Sequence, residues 1–333
     1  MDGTPRLGTA TRTFWVRYLI ALVAGALLVI PAFAVLVVVL DACGAMPAPL
    51  IANDACVDEK LAFMRKNIPP EVNLLVVGSS SAMRNFNSPE AVRFDPTLRP
   101  YNAGLCALKL GQSEQVIEWL TRRLHGVRRV LLVVSLEDFG DFPRVTPLSL
   151  NVTKADRFVF GDTSRLSFYL QSFNATTLLR NATDVRWKRT DMTRFGSVVF
   201  NKFGDAPIQP PRDRRDWYLK FELDNRAFMA LGQTARAMDA RGVQLAVVES
   251  PMDPRWQQEF DRSGALTSLG RRKIREAISG TDAVFLEDRS GLSAADFYDA
   301  VHIRASSTPR FTRSVLSQLE SSSSEAVRSA RAR

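Results

Sequence analysis

The chain has 333 residues, of which 24% are charged and 46% hydrophobic. This globular composition excludes a wholly disordered, collagen-like or coiled-coil protein. The 44 Lys and Arg residues against 35 Asp and Glu residues give a net charge of +9, but the basic residues are scattered, which argues against a nucleic-acid partner. With only two histidines a His-rich metal site is excluded, and we expect neither a metal nor a cofactor.

The first predicted element is a membrane-spanning helix. Residues 18–40 contain no charged side chain, and ~20 apolar residues suffice to cross a bilayer. Arg6, Arg12 and Arg17 precede this stretch, so the positive-inside rule keeps residues 1–17 in the cytoplasm and exports the rest. A signal peptide has a shorter apolar core of ~7–15 residues. The sequence therefore predicts a single-pass protein, although cleavage after the apolar run stays open.

Residues 41–67 are predicted to be a juxtamembrane linker that leads into a helix over 58–67. An oxidising compartment would permit a disulfide between Cys43 and Cys56, which lie close together in the sequence. Cys106 would then be left as a small buried apolar residue. Because disulfide connectivity cannot be read from sequence, the pairing of Cys43 with Cys56 is one alternative among several.

Apolar runs then alternate with amphipathic helical patterns. The predicted strands are 73–78, 99–102, 127–135, 243–249 and 283–287. The clearest predicted helices are 111–124, 224–240 and 306–319. Continuous apolar strands separated by helices are typical of a parallel sheet covered on both faces. The sequence therefore predicts an α/β fold with a flavodoxin-like, doubly wound parallel sheet.

One domain is expected to extend over residues 68–320. The alternation is interrupted at 141–222, which is rich in aromatic, Arg and Asn residues and is predicted to be an insertion of short elements. Such insertions often form lids or substrate walls. The small, polar and basic tail, 321–333, is predicted to be disordered.

Three residues near the carboxyl ends of these strands suggest nucleophilic chemistry. Ser80 follows the first strand, and His302 precedes the last helix with Asp299 three residues before it. Ligands bind beyond the carboxyl ends of strands in doubly wound sheets. A nucleophilic serine needs a base and a group that orients the base. These residues therefore predict a catalytic triad, although serines after a strand are also typical of a helix cap.

This arrangement resembles the SGNH (GDSL-like) hydrolase superfamily. The family's Gly-Asp-Ser block corresponds to Gly78-Ser79-Ser80, and its Asp-x-x-His block to Asp299-Ala-Val-His302. The glycine donor of its second block corresponds to Gly104, two residues after Asn102. The resemblance implies an SGNH-like three-layer sandwich. It also implies an oxyanion hole formed by the backbone N–H groups of Ser80 and Gly104, with Asn102 as a further donor.

Two positions depart from the family pattern. Ser79 occupies the place of the aspartate in the first block, and Glu137 occupies the place of the oxyanion-hole asparagine. A carboxylate donates no hydrogen bond unless it is protonated, and loss of one oxyanion donor costs ~3 kcal/mol of transition-state stabilisation. Ser79, Glu137 and Asp253, which follows the fourth strand, are expected to line the site.

The exported, membrane-tethered arrangement resembles bacterial proteins that add or remove acyl groups on envelope polymers, such as the alginate O-acetylation proteins. The resemblance implies a serine acyltransferase or esterase in the bacterial inner membrane, with its C-terminal domain in the periplasm or outside the cell. Its partners would be a polysaccharide or other acyl acceptor and a multi-pass membrane O-acyltransferase.

Two other functions remain as alternatives. The departures at Ser79 and Glu137 favour a weak or inactive scaffold, or a carbohydrate-binding partner of a membrane O-acyltransferase. A phosphate-binding fold is disfavoured, because the Gly-Ser-Ser-Ser segment at residues 78–81 lacks the lysine of a P-loop.

Overall fold

The structure is a computed structural model that describes residues 9–43, 46–52, 54–141, 150–172, 174, 176–178, 180–181, 183, 200–208 and 220–331. The chain divides into two compact units, residues 1–47 and residues 48–333. The first unit contains one 34-residue helix, α1 (Thr9–Ala42), which continues through Pro31. The most apolar 18-residue segment of α1 has a mean hydropathy of 2.9, and 6% of that segment is buried. By length and composition, α1 could be a membrane span or a signal sequence.

The second unit is built on a five-stranded parallel sheet. Its strands are β1 (Leu74–Gly78), β2 (Pro100–Asn102), β3 (Arg129–Val134), β6 (Gln244–Glu249) and β7 (Val284–Leu286). A separate antiparallel pair is formed by β4 (Gly140–Asp141) and β5 (Glu222–Leu223). The order in the main sheet is β2-β1-β3-β6-β7. This order is that of the flavodoxin-like doubly wound fold and confirms the predicted fold class.

Helices cover both faces of this sheet. They are α2 (Ala55–Asn67), α3 (Ser80–Asn85), α4 (Ser88–Phe94), α5 (Leu110–Arg123), α6 (Val152–Val159), α7 (Arg165–Gln171), α8 (Asn225–Asp239), α9 (Pro254–Phe260), α10 (Ala265–Ile278) and α11 (Thr308–Arg331). Leu75 and Val77 of β1 pack in a core with residues of α5 and α8. Leu74 and Val76 pack in a second core with residues of α4 and α11. Alternate residues of one strand thus serve opposite layers.

Several sequence expectations need correction. The last helix, α11, continues to Arg331, whereas residues 321–333 were expected to be disordered. After its four serines the segment contains Glu, Ala and Arg and no Gly or Pro, a composition that permits helix. The helices α9 and α10 also lie where no helix was predicted. In the expected insertion, α6 and α7 are described, while residues 142–149, 184–199 and 209–219 lie outside the described residues.

The disulfide expectation is wrong. Cys56 of α2 pairs with Cys106 in the loop after β2, with a Cα–Cα distance of 6.0 Å, and Cys43 is a free, exposed thiol at the end of α1. The pairing was missed because the fold brings together cysteines that are 50 residues apart in the chain. The bond ties α2 to a loop that lies against α3, where a Cβ at Gly104 would be 2.7 Å from the amide nitrogen of Met83.

Candidate active site

Ser80 is placed by a tight turn at the end of β1. Gly78 has a φ of +145°, and a Cβ at this position would lie 2.1 Å from the carbonyl oxygen of Val133. Only glycine fits such a close approach between strands at this backbone angle. The next residue, Ser79, caps α3, with its side chain accepting from the N–H of Ser81 at 3.3 Å. Ser80 is therefore the first residue of α3, at the carboxyl edge of the sheet.

The three residues predicted as a triad lie in hydrogen-bond contact. The Oγ atom of Ser80 is 2.8 Å from Nε2 of His302, although 222 residues separate them. On the other side of the ring, Nδ1 of His302 is 2.8 Å from Oδ2 of Asp299. A proton on Nδ1, held by Asp299, leaves Nε2 as an acceptor for the serine proton. The geometry is that required of a nucleophile, a base and an orienting carboxylate.

Asp299 is held in its ionised form. Its Oδ1 atom accepts from the N–H groups of Val301 at 3.0 Å and His302 at 2.9 Å, leaving Oδ2 for the ring. Burial pushes the pKa of Asp299 upward, but the charge of His302 and the hydrogen bonds from His302 and the two amides outweigh burial and leave the pKa below its ordinary value. The carboxylate is thus available to stabilise an imidazolium.

Asn85 fixes the backbone on both sides of His302, a role that sequence analysis missed. Its Nδ2 donates to the carbonyl oxygen of Val301 at 2.7 Å, and its Oδ1 accepts from the N–H of Ile303 at 3.0 Å. Asn85 is fully buried and belongs to α3, the helix that begins with Ser80. A single short helix therefore positions the nucleophile and the loop of the base. The only sequence signal is an amide residue in a short helix that packs on the core.

Ser79 ties the start of α3 to the loop after β3. Its hydroxyl donates to Oδ2 of Asp138 at 3.1 Å, and the same oxygen accepts from the N–H of Ser135 at 2.7 Å. Ser79 and Asp138 are both buried. Ser79 thus has a structural role at the edge of the site, and the loop carrying Glu137 is held beside Ser80.

Glu137 is expected to be neutral near pH 7. Burial, followed by the charges of Asp138 and Asp299, raises the pKa of Glu137 to about 8, against an ordinary value of 4.5, while Lys109 opposes the rise. Its carboxyl group forms no hydrogen bond within the described part of the chain. A protonated carboxyl group can donate one. At neutral pH the carboxyl group of Glu137 can therefore donate a hydrogen bond to an oxyanion, which an ionised carboxylate could not do.

The expected oxyanion donors Asn102 and Gly104 already donate hydrogen bonds to other groups of the protein. The Nδ2 atom of Asn102 donates to the carbonyl oxygen of Ala82 at 2.8 Å and to Oδ1 of Asp205 at 2.9 Å. The Oδ1 atom of Asn102 accepts from the N–H of Gly104 at 3.0 Å. Asn102 is fully buried, so the expectation that it donates to a substrate is wrong.

Gly104 instead allows its loop to approach α3. A Cβ at this position would lie 2.7 Å from the amide nitrogen of Met83. In the same loop, Ala107 is the only non-glycine residue with a positive φ, +56°, among the described residues. Its N–H donates no hydrogen bond within that part of the chain. Strained backbone of this kind is often found at functional sites.

Asp253 does not line the site. It is fully buried, and its carboxylate caps α9 by accepting from the N–H of Arg255 at 2.9 Å. Its own N–H donates to the carbonyl oxygen of Ala300 at 2.8 Å. Asp253 therefore supports the loop that carries the triad base without reaching a ligand. Among the described residues, no group of three or more His, Cys, Asp or Glu side chains is arranged to hold a metal ion.

Comparisons with known proteins add a likeness of fold. Neither a scan against protein-family models nor a search of curated proteins finds a match for this chain. A solved structure from Streptococcus pneumonia, provisionally described as a platelet activating factor, is similar to it with a TM-score of 0.44 and 13% sequence identity. The alignment covers 79% of this chain and 92% of that one. The likeness concerns the course of the chain alone, and the chemistry of the site rests on its own geometry.

Proposed function

We propose that this protein is an exported, membrane-tethered serine acyltransferase or esterase that acts on acyl groups of a cell-envelope or extracellular polysaccharide. The observation that carries the proposal is the pair of 2.8 Å contacts that join Ser80, His302 and Asp299. A serine, an imidazole and an ionised carboxylate in this order are the parts needed for acyl transfer through a covalent intermediate.

The reaction would proceed in two halves. Oγ of Ser80 attacks the acyl carbonyl while Nε2 of His302 takes the serine proton, and Asp299 stabilises the imidazolium. The tetrahedral intermediate collapses as His302 returns that proton to the departing alcohol, which leaves an acyl-serine. A sugar hydroxyl or water then attacks the acyl-serine, with His302 as base, and the serine is regenerated with its proton.

The developing oxyanion needs donors that are free. The N–H of Ser80, at the first position of α3, donates no hydrogen bond within the described residues. The protonated carboxyl group of Glu137 and the N–H of Ala107 lie in the loops after β3 and β2, which border the end of β1. Donors already in place before the reaction are worth ~3 kcal/mol each to the transition state. These three groups are therefore our candidates for the oxyanion hole, in place of Asn102 and Gly104.

The cellular setting of the proposal follows from α1. Its length and apolarity support a membrane anchor, and the arginines before it support a cytoplasmic N-terminus. A reporter that is active only outside the cytoplasm, fused after Leu319, should be active, and a cytoplasmic reporter at the same site should be silent. The reverse pattern would overturn the orientation, and release of the reporter into the medium would indicate a cleaved signal sequence.

Acyl release from an O-acetylated polysaccharide tests the reaction itself. Purified protein, alone and together with a co-expressed multi-pass membrane O-acyltransferase, should release acetate from the polymer or transfer it to an unacetylated chain. The Ser80→Ala variant should do neither. Binding of the polymer or the membrane protein without any acyl release, equal in wild type and Ser80→Ala, would favour the alternative of a scaffold or carbohydrate-binding partner.

A further inference from the structure

Arg84 lies beside the triad without a role in it. It belongs to α3, four residues after Ser80, and residues at this spacing share one face of a helix. Its side chain is partly buried. Burial lowers the pKa of Arg84, while Asp299 and Tyr298 lie near enough for their charges to oppose that shift. A guanidinium keeps its proton even so, and Arg84 therefore places a positive charge close to the reacting serine.

This charge has no hydrogen-bond partner. Within the described residues, Arg84 donates no hydrogen bond and forms no salt bridge. Asp299, whose charge acts on Arg84, is engaged elsewhere, because its two oxygens accept from the Val301 and His302 amides and from the His302 ring. Arg271, by contrast, pairs with Glu249 through Nε at 2.9 Å. No nitrogen of Arg84 is among the buried side-chain atoms that lack a partner, so the guanidinium reaches solvent and is accessible to a ligand. Its five donors can therefore be engaged by an anion.

We propose that Arg84 binds an oxyanion on the substrate, a carboxylate or a phosphate group, next to the ester that Ser80 attacks. The planar fork of a guanidinium matches these anions with two parallel hydrogen bonds. Ser80 and Arg84 are separated by about one helical turn, ~5.4 Å along the axis, so one sugar unit could reach both. The inference rests on the proposed function and narrows it to acyl groups on acidic sugars.

Three matched esters test the inference: an O-acetylated methyl glucuronoside with a carboxylate, an O-acetylated methyl glucoside phosphate, and a neutral O-acetylated methyl glucoside. We expect wild-type kcat/KM to be at least about tenfold higher for a charged ester than for the neutral one, as for a charge-assisted hydrogen bond. The preferred charged ester identifies the anion. In Arg84→Gln the charged-to-neutral ratio should fall towards one, mainly through KM, and Arg84→Lys should retain part of it.

Arg122→Gln is the matched control, since it removes the same charge from an exposed position on α5 whose partner is Glu118. It should leave the ratio unchanged. A wild-type ratio near one, or an unchanged ratio in Arg84→Gln, would overturn the inference while the esterase activity stands.

Ligand-observed NMR with methyl glucuronoside and methyl glucoside phosphate on the Ser80→Ala protein separates this inference from the proposed function. Binding of either anion that Arg84→Gln abolishes and Arg122→Gln keeps supports the anion site, even where no ester is hydrolysed. Absence of binding by both anions, or binding that Arg84→Gln leaves intact, contradicts the site. The neutral methyl glucoside serves as the reference ligand in both proteins.

Discussion

The two sides of the candidate site differ in how their polar groups are satisfied. On the base side, the side chains of Ser80, His302 and Asp299 form a continuous set of hydrogen bonds. Asn85 bonds the backbone of Val301 and Ile303 on either side of His302. On the open side, defined by Glu137 and Arg84, ionisable groups have no hydrogen-bond partner within the described residues. The base side is therefore organised before a substrate arrives. In our proposal, a ligand completes the open side by supplying an oxyanion to each of its two groups.

Removal of the triad base should have the largest effect. His302→Ala and Ser80→Ala should each reduce kcat by ~10⁴–10⁶-fold, and the double variant should be no worse, because members of a triad act as a unit. Asp299→Asn should cost somewhat less. The measurement is the kcat for a neutral ester. If the losses in kcat were additive in the double variant, Ser80 and His302 would not act together. The view of the base side as one functional unit would then be wrong.

Loss of the disulfide should affect stability more than chemistry. Replacement of Cys56 and Cys106 by serine opens a loop of 50 residues, and the chain-entropy model gives a loss of about 4 kcal/mol in the free energy of unfolding. Denaturant unfolding of wild type and the double variant measures this loss. Cys43→Ser is the matched control and should leave the free energy of unfolding unchanged. A large effect of Cys43→Ser would contradict the pairing.

Asn85→Ala should show how far the rate depends on the position of His302, because it leaves the three triad residues unchanged. It removes the contacts that hold Val301 and Ile303 on either side of His302, and a base displaced by ~1 Å can cost about 100-fold in rate. We expect kcat to fall with little change in KM. Asn87→Ala is the control. Asn87 caps α4 and contacts Thr308, so its loss should cost about 1 kcal/mol of stability without a change in kcat. Equal kcat losses in both variants would indicate general destabilisation.

Glu137→Gln should have the smallest effect and should show mainly in the pH profile. The neutral acid prevails below its pKa of about 8, so wild-type kcat/KM for a neutral ester should decline above this pH. An amide donates at any pH, so the decline should move to higher pH in Glu137→Gln. Glu259→Gln, at an exposed position, is the control and should retain the wild-type profile.

The same group should affect stability. Because Glu137 holds a proton in the folded protein that the unfolded chain loses near pH 4.5, its contribution should lower the free energy of unfolding as pH rises from about 4.5 to about 8 and be constant above that range. Glu137→Gln should remove this contribution, so the slope of the free energy of unfolding against pH should be less negative in the variant than in the wild type between about pH 4.5 and about pH 8. An unchanged slope would show that Glu137 is ionised in the folded protein at neutral pH.

The sequence was sufficient to predict the sheet and the contact among Ser80, His302 and Asp299. Runs such as 127–135 are apolar without interruption, so they indicate strands buried on both faces, and the carboxyl ends of parallel strands share one edge. Ser80 and His302 therefore meet at that edge. The sequence could not predict that Cys56 pairs with Cys106 or that Asn85 bonds the backbone on both sides of His302. Nor could it predict that the amide of Asn102 donates to Ala82 and Asp205 and not to a substrate. Each of these depends on which loops touch across the fold, and a single sequence does not reveal such contacts.

The raised pKa of Glu137 could not be predicted from the sequence, for a similar reason. Its rise depends first on burial and then on two carboxylates, of which one, Asp299, is 162 positions further along the chain. From the sequence alone, Glu137 is expected to be an ionised carboxylate that cannot donate to an oxyanion, which argues against strong catalysis. In the structure, burial and two neighbouring carboxylates raise the pKa of the same residue to about 8, which is the basis for our proposal that it donates to the oxyanion.

Covalent labelling with a fluorophosphonate probe tests the central claim, that His302 activates Ser80, most directly. The probe should form a stable adduct, located by peptide mass spectrometry on Ser80 and not on the neighbouring Ser79 or Ser81. Labelling should be lost in His302→Ala while the folded state is retained by circular dichroism. Absence of any adduct in the wild-type protein, or an adduct that forms equally fast in His302→Ala, would contradict the account.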